Sequence, residues 1–406
     1  MIGGMVTHSP EAPPGTHRVP AAQLAWLEGE LARWQAEGRL DAGTAAGIRA
    51  DYSASRRYSL SRLLLAVGAA FFGIGVLWLV AANLDELSPT TRFVGVVVLW
   101  LGAVAAAELL ADSRRTGRVA VAALHMVAAL LFGAVVMQAA QSLQVPAYDS
   151  GLLGTWGAGA LLYAYAAGAL APLLVGIVVT VAWWVWVVAE RSESFAGAAV
   201  ALLLAAVLTG AVAVAHQGRL LPSFAAPWRL ASALLVLIGL FLAALPRLGE
   251  NALPTGGVVW AGVAVVLLAA VGAALVADGK GRLEVGAVVA AAVVGTLVLQ
   301  WQPAGPTGAS ELTGQGLARA VVAILVYLLA AAWLAALGVL RDAGGLTQLA
   351  TGALVVFTVV QSFAVFEPIL SGAALFLVLG VVLAGAGYLV ERGRRRLVAD
   401  VAEASA

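Results

Sequence analysis

Residues 196–215, AGAAVALLLAAVLTGAVAVA, form an apolar run that contains no charged residue. An α-helix of about 20 such residues is long enough to cross the hydrocarbon core of a bilayer, which is about 30 Å thick. The whole chain of 406 residues has this character, because 62% of it is hydrophobic and only 11% is charged, with a mean hydropathy of +0.96. Soluble proteins carry roughly a quarter charged residues. The sequence therefore predicts an all-α fold, a polytopic bundle of transmembrane helices.

Apolar segments of this length alternate with short polar breaks and predict about twelve spans, with ten or eleven as alternatives. The predicted spans are residues 63–82, 92–111, 119–140, 152–169, 172–189, 196–215, 230–246, 256–277, 283–300, 319–340, 346–365 and 369–390. Only AAGALAP separates the fourth span from the fifth. Pro172 is therefore either a kink in one long helix or part of a boundary between two helices.

The distribution of basic residues predicts the orientation. If the amino terminus is cytosolic, the loops assigned to the cytosolic side hold sixteen Arg and Lys residues. The loops on the outer side hold four, namely Arg92, Arg191, Arg247 and Arg319. This is the bias of the positive-inside rule, so both termini are predicted to be cytosolic. A single Lys among 23 basic residues, in a chain rich in Ala, Val and Gly, indicates a GC-rich bacterial genome and hence a bacterial cytoplasmic (inner) membrane.

The first 60 residues are polar, so we expect no cleavable signal peptide and a targeting role for the first span. Residues 1–19 are predicted to be a disordered tail, 20–58 a cytosolic helical hairpin, 63–391 the transmembrane domain and 392–406 a basic cytosolic tail. In the hairpin an apolar stripe at helical spacing consists of Leu24, Leu27, Leu31 and Trp34. The stripe packs on the second helix, on the membrane surface or on another protein, which makes it a candidate partner-binding surface.

Three stretches resemble a known family. They are GRLDAGTAAGIRADY (38–52), GAAFFGIGVLWLVAANLDELSPTTRF (68–93) and FGAVVMQAAQSLQVPAYDSGLLGTWGAGALLYAY (132–165). They are similar to domain of unknown function 2157, a family of prokaryotic membrane proteins, over about residues 20–190. Leu84 stands where the family usually has Trp, and the Gln-x-Tyr-His-like element is reduced to Gln141 and a more distant Tyr148. The resemblance implies a membrane architecture and no particular chemistry.

Polar residues follow the predicted outer ends of the odd-numbered spans. The candidate substrate-binding set is Asn83, Gln138, Gln141, Gln300 and Gln361. These side chains either line a pocket open to the outer face or bond the carbonyls left open at helix ends. Residues 141–151, QSLQVPAYDSG, and 361–372, QSFAVFEPILSG, share Gln-Ser, Pro and Ser-Gly in the same order. This similarity is either an internal repeat of the transporter kind or a product of chance.

Ionisable residues inside the predicted spans are few. Glu108 lies about one turn from the cytosolic end of the second span and His125 two turns into the third, at similar depth. They are either a proton relay or side chains that reach the interface or pair with a neighbouring Arg. Glu284 begins the ninth span beside Arg282, and we expect its side chain to reach the interface or to pair with a neighbouring Arg.

These features favour transport or translocation of a small or lipidic solute. The alternative is a non-transporting scaffold or sensor whose hairpin binds a cytosolic protein. We expect no enzyme and no cofactor, because the chain has no P-loop, no Cys and no His cluster at metal-ligand spacing. With a net charge of +1 it offers no electrostatic case for nucleic acid. The expected partners are the lipid bilayer, a small-molecule or lipid substrate, and a cytosolic protein.

Overall fold

The computed structural model describes residues 17–19, 21–54, 88–111, 118–146, 148–192, 194–217, 221–245, 256–301 and 314–366, with isolated positions between 67 and 75 and at 385. Apart from these isolated positions, the predicted first and twelfth spans lie outside the described residues, and so do Asn83 and the predicted carboxy-terminal tail. The chain divides into two compact units, Met1–Phe72 and Gly73–Ala406.

The first unit contains two helices, α1 (Ala21–Ala36) and α2 (Ala42–Ala50). Gly38 makes the turn between them with φ of +69°, a left-handed conformation that glycine adopts without steric cost. Asp41 caps α2, since its carboxylate accepts hydrogen bonds from the amide and the hydroxyl of Thr44. These bonds favour the ionised form and hold the pKa of Asp41 below its ordinary value. The structure also pairs β1 (His17–Val19) in parallel with β2 (Tyr52–Ala54), two short strands that the sequence did not predict.

Ten helices of the second unit lie in the described part of the chain. They are α3 (Pro89–Ala111), α4 (Arg118–Ser142), α5 (Ser150–Ala167), α6 (Leu170–Ser192), α7 (Phe195–Ala215), α8 (Ala225–Ala244), α9 (Gly257–Val276), α10 (Gly279–Gln300), α11 (Gly314–Leu340) and α12 (Gly344–Phe366). Each corresponds to one predicted span, from the second to the eleventh. Within the described residues, all but α5 are long and apolar enough to cross a membrane. The predicted polytopic helical bundle is confirmed.

The fourth and fifth predicted spans are separate helices. Gly168 ends α5 in the left-handed conformation, with φ of +61°, and its amide donates to the carbonyl of Ala164. Pro172 lies in the first turn of α6, where its missing N–H leaves no hydrogen bond unmade. The proline therefore begins a helix and does not kink one.

Helix α7 is the centre of the second unit. In its most apolar stretch 67% of the residues are buried, compared with 11% in α3 and 22% in α9. It packs against α6, α8, α9 and α10, and its many Ala and Gly residues let these neighbours approach closely. By contrast α3 and α9 expose large apolar side chains, including Leu109, Leu268 and Leu275. Such faces fit the hydrocarbon of a bilayer.

Contacts between side chains show that α3 to α12 alternate in direction. One end of the bundle holds Glu108, His125, Tyr163, His216 and Glu284 and is named the Glu284 end. The other holds Ala243, Val298, Arg319 and Gln361 and is named the Arg319 end.

The close packing of α5 against α6 gives a test of the fold. A Cβ atom at Gly157 would lie 2.9 Å from the backbone nitrogen of Thr180 and 3.1 Å from its Cα. Because backbone atoms do not move aside, Gly157→Ala should destabilise the bundle by about 1–3 kcal/mol. We expect thermal unfolding in detergent to shift down by several degrees.

The matched control is Gly102→Ala in α3, where an added Cβ meets no atom within 4 Å. It should leave the unfolding temperature unchanged. Equal shifts for the two variants would contradict the packing of α5 on α6.

Candidate functional site

The most deeply buried carboxylate of the described structure is Glu284, on the second turn of α10, with a relative exposure of 2%. Its Oε1 accepts a hydrogen bond from Nε of Arg229 at 2.5 Å, and its Oε2 accepts one from Nη2 of Arg341 at 3.1 Å. The amide Nε2 of Gln217 donates to Oε2 at 3.2 Å. Glu284, Arg229, Arg341 and Gln217 are named the Glu284 cluster.

Four different elements supply the cluster. Gln217 follows the end of α7, Arg229 lies in the first turns of α8, and Arg341 follows the end of α11. A charge at the centre of a membrane helix costs about 2.5–3.5 kcal/mol, and a buried ion is tolerated when its partners satisfy it. Because one carboxylate bonds three partners, the cluster ties α8, α10 and α11 together at this end.

This pairing differs from the sequence interpretation, which placed Glu284 beside Arg282. Arg282 instead donates through Nε to the carbonyl of Ala274. The signal that could have found the true partners was available, since Arg229 and Arg341 fall on the same predicted side as Glu284. A list of all charges within two turns of that side would have brought them together.

A second buried charge, Arg319, lies at the opposite end with a relative exposure of 4%. Its Nε donates to the carbonyl of Val298 at 3.2 Å and its Nη2 to the carbonyl of Ala243 at 3.1 Å. Both carbonyls belong to the last turns of their helices, α10 and α8, where the helix dipole is negative. Arg319 therefore serves as a shared cap for two helix ends, which explains how a guanidinium is buried there.

The predicted glutamines do not form one site. Gln361 is buried beside Arg319, and its Nε2 donates to the carbonyl of Ala244 at 3.3 Å, as the capping interpretation expects. Gln138 is buried within α4, whereas Gln141 and Gln300 are exposed. Since α4 packs against α3, α5 and α6, and α10 against α7, α8, α9 and α11, these glutamines belong to different helix groups. Their substrate-binding role stays a prediction.

A recess of about 420 Å³ opens at the Arg319 end, between the α4–α5 loop and the end of α6. Its lining consists of Pro146, Tyr148, Asp149, Ser150, Glu190 and Arg191. Two carboxylates and one guanidinium face this recess, which suits a polar or zwitterionic group. Of the predicted substrate-binding residues, the four that the structure describes, Gln138, Gln141, Gln300 and Gln361, do not line it.

The predicted relay pair is brought together, with a third residue between its members. Nδ1 of His125 lies 2.7 Å from Oη of Tyr163, and that hydroxyl lies 3.3 Å from Oε1 of Glu108. His125 is buried, while the side chain of Glu108 is 49% exposed. The three groups form a chain from the surface to the interior of the α3–α4–α5 group. Its role as a proton relay stays a prediction.

Two residues further along α5, Tyr165 pairs with a second histidine. Nδ1 of His216 lies 2.7 Å from the carbonyl of Val212, so this nitrogen carries the proton. Nε2 of His216 then accepts from the hydroxyl of Tyr165, whose oxygen accepts from Nε1 of Trp228. Every polar atom of this set has a partner, as a structural contact between α5, α7 and α8 requires.

The apolar stripe of the first unit is only partly available. Leu24 and Leu31 are buried, with relative exposures of 7% and 4%, whereas Leu27 and Trp34 are partly buried. The largest exposed apolar side chain of α1 is Trp26, at 64%. Trp26 is therefore more exposed than any residue of the predicted stripe, whose partner-binding role stays a prediction.

Among the residues that the structure describes, no three His, Cys, Asp or Glu side chains come together in the way that a metal ion requires.

Several long apolar helices in one packed unit define a multi-pass α-helical membrane protein. Residues 32–173 match the profile of the DUF2157 family, described as predicted membrane protein, which is the family that the sequence motifs resemble. A search of curated proteins and a search of solved structures each found no match. The matched range includes Glu108, His125 and Tyr163, while the Glu284 cluster lies beyond it.

Because Glu284 is buried and Glu108 is half exposed, we expect their substitution to lower the stability of the protein by different amounts. Glu284→Gln removes the buried counter-charge of two partly buried guanidinium groups and should lower the free energy of unfolding by about 3–5 kcal/mol. Glu108→Gln, at a side chain that is half exposed, should lower it by less than about 1 kcal/mol. Unfolding of the purified variants in detergent measures both values, and a Glu284→Gln variant as stable as wild type would show that the cluster is not a buried ion network.

Proposed function

We propose that this protein transports or translocates a small or lipidic solute across the membrane. The observation that carries the proposal is the Glu284 cluster, a buried carboxylate held by two arginines on separate helices. Ionisable residues inside membrane bundles are rare, and they tend to mark pathways and moving parts.

The position of α11 supports this proposal. At the Glu284 end it is held by Arg341, and at the Arg319 end by Arg319. Arg341 bonds Glu284 of α10, which also bonds Arg229 of α8. Arg319 bonds carbonyls in the last turns of the same two helices, so both contacts of α11 are polar. Contacts of this kind at the two ends of one helix can open alternately, as a pathway that is accessible from one side at a time requires.

In the proposed orientation both termini are cytosolic, so the Glu284 end faces the cytosol and the Arg319 end faces outwards. The support is the excess of basic residues in the loops of the Glu284 end. The recess between Asp149 and Arg191 then opens to the outer face and is the proposed point of entry for a polar group. The chain of Glu108, Tyr163 and His125 is the proposed proton path, which would open on the cytosolic side. We also propose that the protein is not an enzyme.

A second function, a scaffold or sensor, is favoured by one observation. Trp26 is 64% exposed on α1, and exposed tryptophans are enriched where proteins bind one another. In this alternative the first unit binds a cytosolic protein and the membrane bundle only anchors it.

Flux through reconstituted liposomes tests transport. We expect the purified protein to accelerate the passage of at least one member of a broad panel of small solutes, or the scrambling of labelled lipids, relative to protein-free liposomes. Arg341→Gln should change that rate about tenfold, because a charge-assisted hydrogen bond contributes about 1.5–3 kcal/mol to the balance between two states.

Arg118→Gln is the matched control, since Arg118 is exposed at the same end of the bundle and should leave the rate unchanged. If no solute and no lipid moves over the whole panel, the transport proposal is wrong.

Deletion of residues 20–55 tests the alternative. If the protein is a transporter, the truncated chain should insert into the membrane and retain its flux. If it is a scaffold, deletion should abolish recovery of a specific cytosolic partner while insertion stays intact, and Trp26→Ser alone should reproduce the loss. Arg39→Ser, at an exposed polar side chain of the same unit, serves as the control.

A further inference from the structure

The arginines of the Glu284 cluster have more hydrogen-bond donors than the cluster uses. Each guanidinium carries five N–H groups. Toward Glu284, Arg229 uses Nε and Arg341 uses Nη2. The Nε of Arg341 is buried and has no acceptor among the described residues. A buried donor without an acceptor is unfavourable, so the cluster is incomplete as it stands.

The charges of the cluster are also unequal. Two partly buried guanidinium groups face one buried carboxylate, so among the described residues one positive charge has no buried counter-charge. The nearest other carboxylate, on Asp278, is 3.8 Å from Nη2 of Arg341, but its side chain is 61% exposed and screened by water. It also accepts from the amide of Gly281 as the cap of α10. The charge of the described residues at this point therefore favours an anionic ligand.

The cluster can be reached from the surface of the bundle. The side chains of Arg229 and Arg341 keep exposures of 12% and 16%, so both touch the surface. Lys280 and Arg282 lie exposed in the first turn of α10. Leu275 and Leu283 expose an apolar surface close by in sequence, at the end of α9 and the start of α10. A headgroup at the arginines could therefore lie at the same level as acyl chains.

We propose that Arg229 and Arg341 form a binding site for a phosphate group at the Glu284 end of the bundle. The planar fork of a guanidinium matches two phosphate oxygens, and the one positive charge that Glu284 leaves over matches the single negative charge of a phosphodiester. The phosphate comes from the headgroup of an anionic lipid or from free phosphate. Basic pockets between membrane helices are suited to lipid headgroups, and the apolar surface of α9 and α10 fits that source. The site does not depend on the transport proposal.

Two probes measure binding to the full-length protein. Inorganic phosphate is titrated onto the protein in detergent, and retention of phosphatidylglycerol or phosphatidylcholine is compared by native mass spectrometry after release from vesicles of each lipid. Arg341→Gln should weaken binding about tenfold, since it removes a charge-assisted contact but leaves the Arg229–Glu284 pair in place. Arg118→Gln, at an exposed arginine of the same end, should leave binding unchanged.

For Glu284→Gln we expect the opposite effect on anion binding. With the carboxylate gone, the two guanidinium groups lose the one buried counter-charge that the described residues give them, so an added anion should bind several-fold more tightly. It should also restore part of the thermal stability that this variant loses. An arginine cluster with a purely structural role would show neither effect.

The pattern of binding identifies the source of the phosphate. Selective retention of phosphatidylglycerol with no response to inorganic phosphate supports the lipid, and the reverse supports free phosphate. If Arg341→Gln does not fold, amide hydrogen exchange of the wild-type protein tests the site instead. Binding of either anion should slow exchange in residues 278–286 and leave exchange in residues 118–125 unchanged. Binding that is unaffected by both variants, or the absence of protection in wild type, overturns the proposal.

Discussion

The close approach of helices through small residues is the constraint on which the described bundle depends. Between apolar helices in a bilayer there is no hydrophobic gain, since lipid tails are as apolar as leucine, so van der Waals packing must hold them together. Gly157 lies against the backbone of Thr180, Gly210 against Ser232 and Gly239 against Leu203. The first contact joins α5 to α6 and the other two join α7 to α8, and such contacts set the positions at which the few polar side chains can meet.

Polar groups within this frame are satisfied mainly by helix backbone. Trp184 donates to the carbonyl of Ala201, Tyr327 to that of Ala353 and Ser232 to that of Ala206. Arg319 extends the same principle to a full charge, because it caps the ends of α8 and α10. The Glu284 cluster is different, since its members bond one another and, among the described residues, leave one positive charge without a buried counter-charge and one buried donor without an acceptor. That difference is the reason for proposing a functional role for this end of the bundle.

Sequence reasoning went furthest where a single helix carries the signal. Apolar runs predicted all ten helices of the second unit that are described. It went less far where two distant segments meet. The pairing of β1 with β2 and the partners of Glu284 depend on segments that are 35 or more residues apart, and neither composition nor periodicity records such contacts. Glu108 and His125 were matched by depth alone, and the bridging Tyr163 was not foreseen.

By itself the sequence determined that the chain is a multi-pass helical membrane protein, because a run of about 20 apolar residues has one stable arrangement in hydrocarbon, a helix with all its backbone bonds internal. It also determined where most helices begin and end. Only the tertiary structure decided which helices are neighbours and that Arg229 and Arg341 share Glu284. It also decided that α7 is mostly buried whereas α3 exposes most of its surface. Those outcomes follow from the packing of whole surfaces, and many sequences with the same apolar pattern could pack differently.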